Sequence, residues 1–470
     1  MNASHWPPEF VSRIQQQFPE ASSAFLAALD ETPATSLRLN PNKFTSSLPY
    51  SQVPWHPDGY FLPERPLFTM DPWFHAGMYY VQEASSMFLA YALGQVIDFQ
   101  SSLRVLDLCA APGGKSTLVA SLLSEDSLLV ANEVIRSRAQ ILSENLQKWG
   151  TIQAVVSQND PEDFQALPGF FDLVLVDAPC SGEGLFRRDH KAADEWSPAH
   201  VHLCCERQRR ILMDVWDTLK PGGILAYSTC TFNEDENEHN LDWLLQQVDA
   251  APIPVEVPTT WGITVSDYKA LPGYRFHPHK VKGEGLFLTL IQKGAIGTDF
   301  TFRKKKKKQF LQPLHKDLLP KVESWLKERE KWAYFQGEEQ IFAIPSSQAA
   351  AIEVLTQKLY LHHIGVNIGE IKKQKINPSH GMLLSPYFER EIFPSEELSH
   401  LDALKFLKKE PVKTALPKGW GYTTFGGVPL GWLKELGNRA NNYYPQHWRI
   451  RMNIPDTSTL FTIRRVEERL

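Results

Sequence analysis

The chain is poor in cysteine, with five in 470 residues, and it holds no apolar run long enough to cross a membrane. Five thiols are too few for a disulfide framework at this length. Their scarcity excludes the small stapled secreted folds and fits free thiols in a cytoplasmic protein. Met1 to Pro8 has neither a basic stretch nor an apolar one, so nothing there reads as a secretion signal. The dinucleotide fingerprint G-x-G-x-x-G is missing. Gly114-Lys115-Ser116-Thr117 lacks the glycine that a P-loop places five residues before its Gly-Lys pair, and Cys109 stands there instead. Dinucleotide chemistry and a P-loop ATPase are thereby disfavoured. No metal is expected either, because Cys204-Cys205, His277 with His279, and His362-His363 lack partners at ligand spacing. Cys204 and Cys205 read as buried core thiols in a helix.

Charge of one sign is also scarce in one place. Residues 303–470 carry 28 basic and 18 acidic side chains, leaving 21 and 36 before them, so a region near +10 follows a body near -15. A basic appendage on an acidic body points to a polyanionic partner, since Lys and Arg displace counterions from phosphates. As an appendage, it should be removable without loss of cofactor binding. Arg303 and Lys304 to Lys308 mark a boundary that reads equally as a solvated linker or an RNA contact. Tyr443-Tyr444 with Arg439, Arg449 and Arg451 combine aromatic faces with charge, a candidate RNA surface.

What the chain does have is alternation. Strand-like runs at 104–108, 128–132, 153–157, 172–177, 224–229 and 286–291 interleave with helical patterns at 115–123, 135–148, 200–219 and 234–247, the spacing of a doubly wound α/β sheet. Pro221-Gly222-Gly223 is expected to end the third helix. Beyond the basic run, 314–332 reads as helix-rich, the stretch reaching Lys375 as strand-rich, and Phe425 to Trp432 as a Gly-rich segment.

Three cysteines sit where strand-end chemistry would want them. Cys109 lies in Asp107-Leu108-Cys109-Ala110-Ala111-Pro112-Gly113-Gly114-Lys115, Cys180 in Asp177-Ala178-Pro179-Cys180, and Cys230 in Ser228-Thr229-Cys230-Thr231. Each follows a short apolar run of the buried-strand type, so all three are expected along the carboxyl edge of one sheet, where ligands bind. The Pro-Gly-Gly turn lets backbone amides approach a ligand closely. Glu133, ending the next strand, is placed for a ribose diol, and Asp160, after the third, for the adenine side. A ligand with a ribose, an adenine and an amino-acid carboxylate is S-adenosylmethionine.

These three motifs in this order, with Leu37-Arg38-Leu39-Asn40 and Gly283-Glu284-Gly285-Leu286-Phe287 flanking them, resemble the Nol/Nop/Sun family of RNA cytosine-5 methyltransferases over residues 30–293. Asn367 to Lys373, Pro378-Ser379-His380 and Val428 to Trp432 are similar to the C-terminal part of bacterial RsmF-type ribosomal RNA methyltransferases. The resemblance implies a Rossmann-type methyltransferase core (73–295) with an N-terminal accessory RNA-binding region (1–72), a basic linker (296–309), an α+β intermediate domain (310–384) and a PUA-like RNA-binding domain (385–470). It implies Cys230 as nucleophile, Cys180 as the residue that releases the adduct, and Asp177 holding or protonating the cytosine ring. It also implies a cofactor site of Cys109, Ala110, Ala111, Pro112, Gly113, Gly114, Lys115, Glu133, Asp160 and Asp177. DNA cytosine-5 methyltransferases use a Pro-Cys nucleophile, which Pro179-Cys180 would satisfy; the second motif around Cys230 favours the RNA assignment. The expected substrate is RNA, small-subunit ribosomal RNA first and transfer RNA second, for a monomer in the cytoplasm. An RNA-binding ribosome assembly factor is the competing class. Phe186-Arg187-Arg188-Asp189 reads either as a phosphate contact or as a surface ion pair.

Overall fold

The computed structural model describes residues 6–44, 46–301, 311–373, 375–456 and 460–463. The run Lys304 to Lys308 lies outside the described residues. The chain opens with helices α1 (Pro8–Gln17) and α2 (Ser22–Asp30) and a three-stranded antiparallel sheet of β1 (Thr35–Leu39), β2 (Gly59–Leu62) and β3 (Tyr79–Tyr80). Two helices, α3 (Pro72–His75) and α4 (Phe88–Gly94), flank β3 in sequence. The central elements follow: β4 (Arg104–Asp107), α5 (Gly114–Ala120), β5 (Leu128–Asn132), α6 (Arg136–Trp149), β6 (Ala154–Ser157) and β7 (Phe171–Asp177). Then come α7 (Lys191–Glu195), α8 (Pro198–Trp216), β8 (Leu219–Thr229), α9 (Glu238–Leu245), β9 (Ala250–Ile253), β10 (Thr264–Tyr268), β11 (Leu271–Phe276) and β12 (Leu286–Lys293).

These strands form one sheet in the order β10-β11-β12-β8-β7-β4-β5-β6, parallel from β8 to β6 and antiparallel at β12 and beyond. Alternation along each strand splits the apolar residues between two cores. Val105 and Leu129 face helices α4 to α6, while Leu106 and Val130 face α8 and α9. Burial on both faces is why the central strands read as continuous apolar runs. The strand order reverses between β4 and β7, so the loops after them diverge and leave a crevice at the carboxyl edge.

Two expectations are corrected. The Pro221-Gly222-Gly223 turn does not end the preceding helix. α8 stops at Trp216, and the turn lies inside β8, where Phe171 pairs with Leu219 but Leu173 pairs with Ile224. That mismatch is a bulge, and Gly222 at φ 74° absorbs it. The 314–332 stretch makes only one short helix, α10 (Leu319–Val322), and two 3-10 turns. Glu328 sits there at φ 51°, a conformation no continuous helix allows.

The later elements do not form a detached appendage. A five-stranded sheet uses β13 (Gln312–Pro313), β14 (Trp332–Gln336), β15 (Gln340–Pro345), β17 (Val366–Lys372) and β18 (Lys375–Pro378). Between β15 and β17, helix α11 (Ala349–Lys358) leads into β16 (Leu361–Ile364), which leaves that sheet and pairs antiparallel with β6 at the edge of the central one. After α12 (His380–Leu384) a smaller sheet follows, β19 (Ser395–Glu397), β20 (Gly419–Phe425), β21 (Val428–Glu435) and β22 (Ala440–Asn442), with α13 (His400–Leu407) packed on it. Gly426 and Gly427, at φ 59° and 72°, make the tight β20–β21 turn that only paired positive φ values allow. Leu37, Leu39, Tyr79, Leu433, Trp448 and Ile463 share one apolar cluster, so the first and last regions of the chain close on each other. Among the described residues no helix is long and apolar enough to cross a membrane.

Candidate active site

Strands β7 and β8 lie side by side with Asp177 opposite Ser228. Cys180 follows the end of β7 by three residues and Cys230 follows the end of β8 by one, so the register itself delivers both side chains to one point. Their Sγ atoms are 3.2 Å apart. The hydrogen bond with Cys230, and then burial, push the Cys180 thiol well above its usual range.

A cationic group is held at the end of β7. Lys115 Nζ lies 2.9 Å from Asp177 Oδ1, and Ser228 Oγ donates to the same oxygen at 2.8 Å. Burial alone would depress Lys115, but the Asp177 charge outweighs it and raises the ammonium, whose field also reaches Cys230.

The Gly-rich turn carries the chain from β4 into α5. Gly113 takes φ 110° there, a backbone shape that a side chain would strain. Ala110 N donates to Asn132 O at 2.8 Å. Tyr80, Gln82, Glu83, Asp107, Cys109, Ala110, Ala111, Pro112, Gly114, Lys115 and Asp177 line one cleft at this edge. Asp107 is fully buried in it. Its Oδ2 accepts from Ser116 at 2.6 Å, while its Oδ1 has no partner among the described residues. Burial raises this carboxyl to about 7 against the Ser116 hydrogen bond, and the Asp177 charge adds to the rise. An orphaned buried carboxylate oxygen in a ligand cleft is a site for a cation, as the ammonium of an amino-acid-bearing cofactor would supply. Burial likewise pushes the Cys109 thiol far up, which removes it as a nucleophile.

Glu133 and Asp160 stand beside this cleft rather than in its lining. Glu133 Oε1 caps α6 at Ile135 N, 3.0 Å, and Oε2 pairs with Arg138 at 3.4 Å; Arg138 in turn donates to Ala111 O at 2.9 Å. Asp160 caps a 3-10 turn at Glu162 N, 3.2 Å, and lies 3.6 Å from Arg210. The buried Asn132 connects the three loops. Its amide donates to Leu108 O and Asn159 O at 3.2 and 3.0 Å, and its Oδ1 accepts from Ser157 Oγ and Asn159 N at 2.9 and 3.0 Å.

Sequence reading missed Asp107 as a ligand-facing group, Asn132 as the tie, and a buried polar network under the thiols. Glu236 accepts from Ser181 N and Gln208 Nε2 at 3.0 and 2.8 Å, and Asn233 Nδ2 lies 2.7 Å from its other oxygen. Gln208 also holds Pro179 O at 3.0 Å. Burial raises the Glu236 carboxyl. The available signal was the polar run Asn233 to Glu238 just past Cys230, too hydrophilic to be an ordinary strand exit. Cys204 and Cys205 are buried in α8. Among the described residues, no group of three or more metal-type side chains comes together. Phe186 is buried, Arg187 donates to Gly283 O at 2.7 Å and Arg188 pairs with Glu284 at 2.5 Å, so both cations are engaged within the protein.

The geometry has known counterparts. Residues 95–292 match the family model described as 16S rRNA methyltransferase RsmB/F, residues 6–84 the N-terminal domain of 16S rRNA methyltransferase RsmF, and residues 393–450 the RsmF PUA domain. A protein of Enterobacter sp. (strain 638) called ribosomal RNA small subunit methyltransferase F is 29% identical over 476 residues, covering 95% of this chain and 96% of the relative. The protein of the same name from Klebsiella pneumoniae (strain 342) is also 29% identical, at 95% and 97% coverage. Among solved structures, a methyltransferase homolog from Pyrococcus horikoshii is 27% identical with a TM-score of 0.53, over 62% of this chain and 96% of that one. NSun6 from Pyrococcus horikoshii, solved with SFG, shares the fold at 19% identity and a TM-score of 0.53, over 62% and 99%.

Proposed function

The chain belongs to the Nol/Nop/Sun family in its RsmF-like form, and on that premise we propose that it methylates carbon 5 of a cytosine in small-subunit ribosomal RNA through a covalent adduct on Cys230. It is an S-adenosylmethionine-dependent RNA methyltransferase acting on small-subunit ribosomal RNA. The observation that carries the finer reading is the pair of thiols 3.2 Å apart at adjacent strand ends, beside a Lys115–Asp177 ion pair.

Carbon 5 of cytosine is a weak nucleophile. Addition of the Cys230 thiolate to carbon 6 gives it enamine character. S-adenosylmethionine, when bound, supplies an electrophilic methyl group. The proton on carbon 5 must then leave before the carbon–sulfur bond breaks, and this release is the step assigned to Cys180. Asp177, held by Lys115 and Ser228, would engage the ring. Asp107 would hold the cofactor's ammonium, the Cys109 to Lys115 turn its carboxylate side, and Glu133 and Asp160 its ribose and adenine. A base within a duplex must first be flipped out at a cost of a few kcal/mol, so unpaired or remodelled RNA is the easier target. A ribosome modifier of this kind works in the cytoplasm.

Bisulfite sequencing of ribosomal RNA from cells lacking the gene, rescued with wild type or Cys230→Ala, tests the reaction and nucleophile together. One 5-methylcytosine restored by wild type alone is expected; its restoration by Cys230→Ala would remove the nucleophile assignment. In purified protein, Cys180→Ala should accumulate an RNA adduct on a denaturing gel and Cys230→Ala should form none.

A further inference from the structure

Helix α1 touches the loop that follows Cys230 and the residue, Glu183, that grips it. Gly184 N donates to the carbonyl of Cys230 itself at 2.7 Å, an approach close enough that a Cβ on Gly184 would lie 2.7 Å from that oxygen. The preceding residue, Glu183, is completely buried. Its carboxylate accepts from Phe232 N at 2.9 Å, Asn233 Nδ2 at 3.0 Å and Trp196 Nε1 at 3.1 Å. Residues 183–184 therefore grip the chain at Cys230, Phe232 and Asn233 together.

A buried carboxylate with only neutral donors is costly, and a cation offsets that cost. The cation is Arg13 of α1, which pairs with Glu183 Oε1 and lies over the Trp196 ring at 4.9 Å. One helical turn further on, Gln17 Nε2 donates to Phe232 O at 3.0 Å. Residues four apart share a helix face, so Arg13 and Gln17 present one edge of α1 to the nucleophile loop. On the adjoining face, Phe10 and Ile14 are fully buried in a cluster with Phe186, Trp196 and Phe232, which fixes the helix in place. Arg275 Nη1 completes the hold on Phe232 O at 2.8 Å.

We propose that α1 is a positioning element of the catalytic centre: Arg13, acting through Glu183, and Gln17, acting on Phe232, hold the Cys230 loop in the geometry that addition to the base requires. The inference rests on Cys230 being the nucleophile. Without Arg13 the buried Glu183 carboxylate loses its cationic partner, and its hold on Phe232 N and Asn233 is no longer fixed in place. The Cys230 loop then loses its register against Cys180, while the cofactor cleft, which uses neither residue, stays intact.

The test is the single-turnover rate of adduct formation on RNA containing 5-fluorocytidine, whose fluorine blocks release, at saturating RNA and S-adenosylmethionine. Arg13→Met should slow it about tenfold, on the scale of losing a charge-assisted hydrogen bond. Dissociation constants for RNA and S-adenosylhomocysteine should stay within about twofold, and Arg13→Lys should recover most of the rate because it keeps the cation. Gln17→Ala, which leaves the ion pair in place, should slow the rate by a smaller factor and serves alone if Arg13→Met does not fold. An unchanged saturating rate in the variants overturns the proposal. So does a loss that tracks weaker RNA binding, which would make α1 an RNA-contacting helix instead. An adduct formed by Cys230→Ala would overturn the nucleophile reading beneath it; an inert Cys230→Ala alongside a wild-type rate in Arg13→Met would remove the positioning role alone.

Discussion

Burial raises the Asp107 carboxyl to about 7 in the ligand-free protein, in surroundings that include Ser116, Asp177, Lys115 and Glu133. Below pH 7 it holds its proton and cannot pair with an ammonium; above pH 7 it can. Affinity for S-adenosylhomocysteine should therefore rise about tenfold between pH 6 and pH 8, and Asp107→Asn should remove that slope and hold the affinity at its weak limit. Calorimetric titration at the two pH values checks this. The same shift opposes stability in the free protein. As pH rises from the unfolded value of 3.8 towards about 7, the unfolded chain ionises this group and the folded chain resists, so its stabilising contribution is lost across that window. The melting temperature of the free protein should accordingly fall less between pH 6 and pH 8 in Asp107→Asn than in wild type.

Individual elements serve the site from outside the methyltransferase sheet proper. β16 extends that sheet past β6, and just before it Tyr360 exchanges backbone hydrogen bonds with the Asn159 side chain, Tyr360 N to Oδ1 and Nδ2 to Tyr360 O, both 2.9 Å. Asn159 is adjacent to Asp160 and bound to Asn132, so the residue leading into β16 braces the loop proposed to hold the cofactor's adenine. Asn159→Ala should weaken S-adenosylhomocysteine binding by about tenfold, the scale of one or two lost buried hydrogen bonds, and Asn159→Asp, which keeps the acceptor for Tyr360 N, should weaken it less. Unchanged binding in both would show that the brace does not reach the ligand. α6 has a comparable role at the other side. Asn40 donates to Gly77 O and Trp149 O at 2.9 Å each, and Arg38 lies 4.4 Å over the Trp149 ring, so the N-terminal sheet is seated on the C-terminal end of that helix.

Across the whole molecule, the region around Asp71 is joined to residues 462–463. Asp71 accepts from Trp73 N at 3.1 Å, Tyr79 Oη at 3.0 Å, Thr462 Oγ1 at 3.0 Å and Ile463 N at 3.1 Å, and the cluster around Leu39 and Trp448 spans both regions. Deleting residues 303–470 would strip β16 from the central sheet and open that cluster, so truncation does not isolate the role of the basic region. Surface substitutions do. Arg449 and Arg451 are exposed, and replacing both with alanine should weaken ribosomal RNA binding and reduce the slope of log affinity against log salt by about 2 if both contact phosphates. An unchanged slope would take these two residues out of the RNA interface.

Local pattern was enough for the sequence to determine the order and type of the central elements, the Gly-rich turn and the three cysteine motifs. Apolar periodicity and turn residues act within a few positions of themselves, and motif order survives any packing. It was not enough for contacts whose partners lie far apart in the chain. The 3.2 Å approach of Cys180 to Cys230 depends on the register of β7 against β8. Glu183 looks like an ordinary loop acid until the fold brings Arg13 to it across 170 positions, and Asn159 meets Tyr360 across 201. The basic region read as an appendage because its charge differs from the body, yet charge is a surface property and says nothing of the apolar residues, from Leu37 to Ile463, that pack the early and late regions together. Only the tertiary structure decided that the loops after Cys230 and Asn159 are each held by residues far outside them in the chain, Arg13 and Gln17 for one and Tyr360 for the other, because burial and hydrogen-bond pairing act between neighbours in space rather than in sequence.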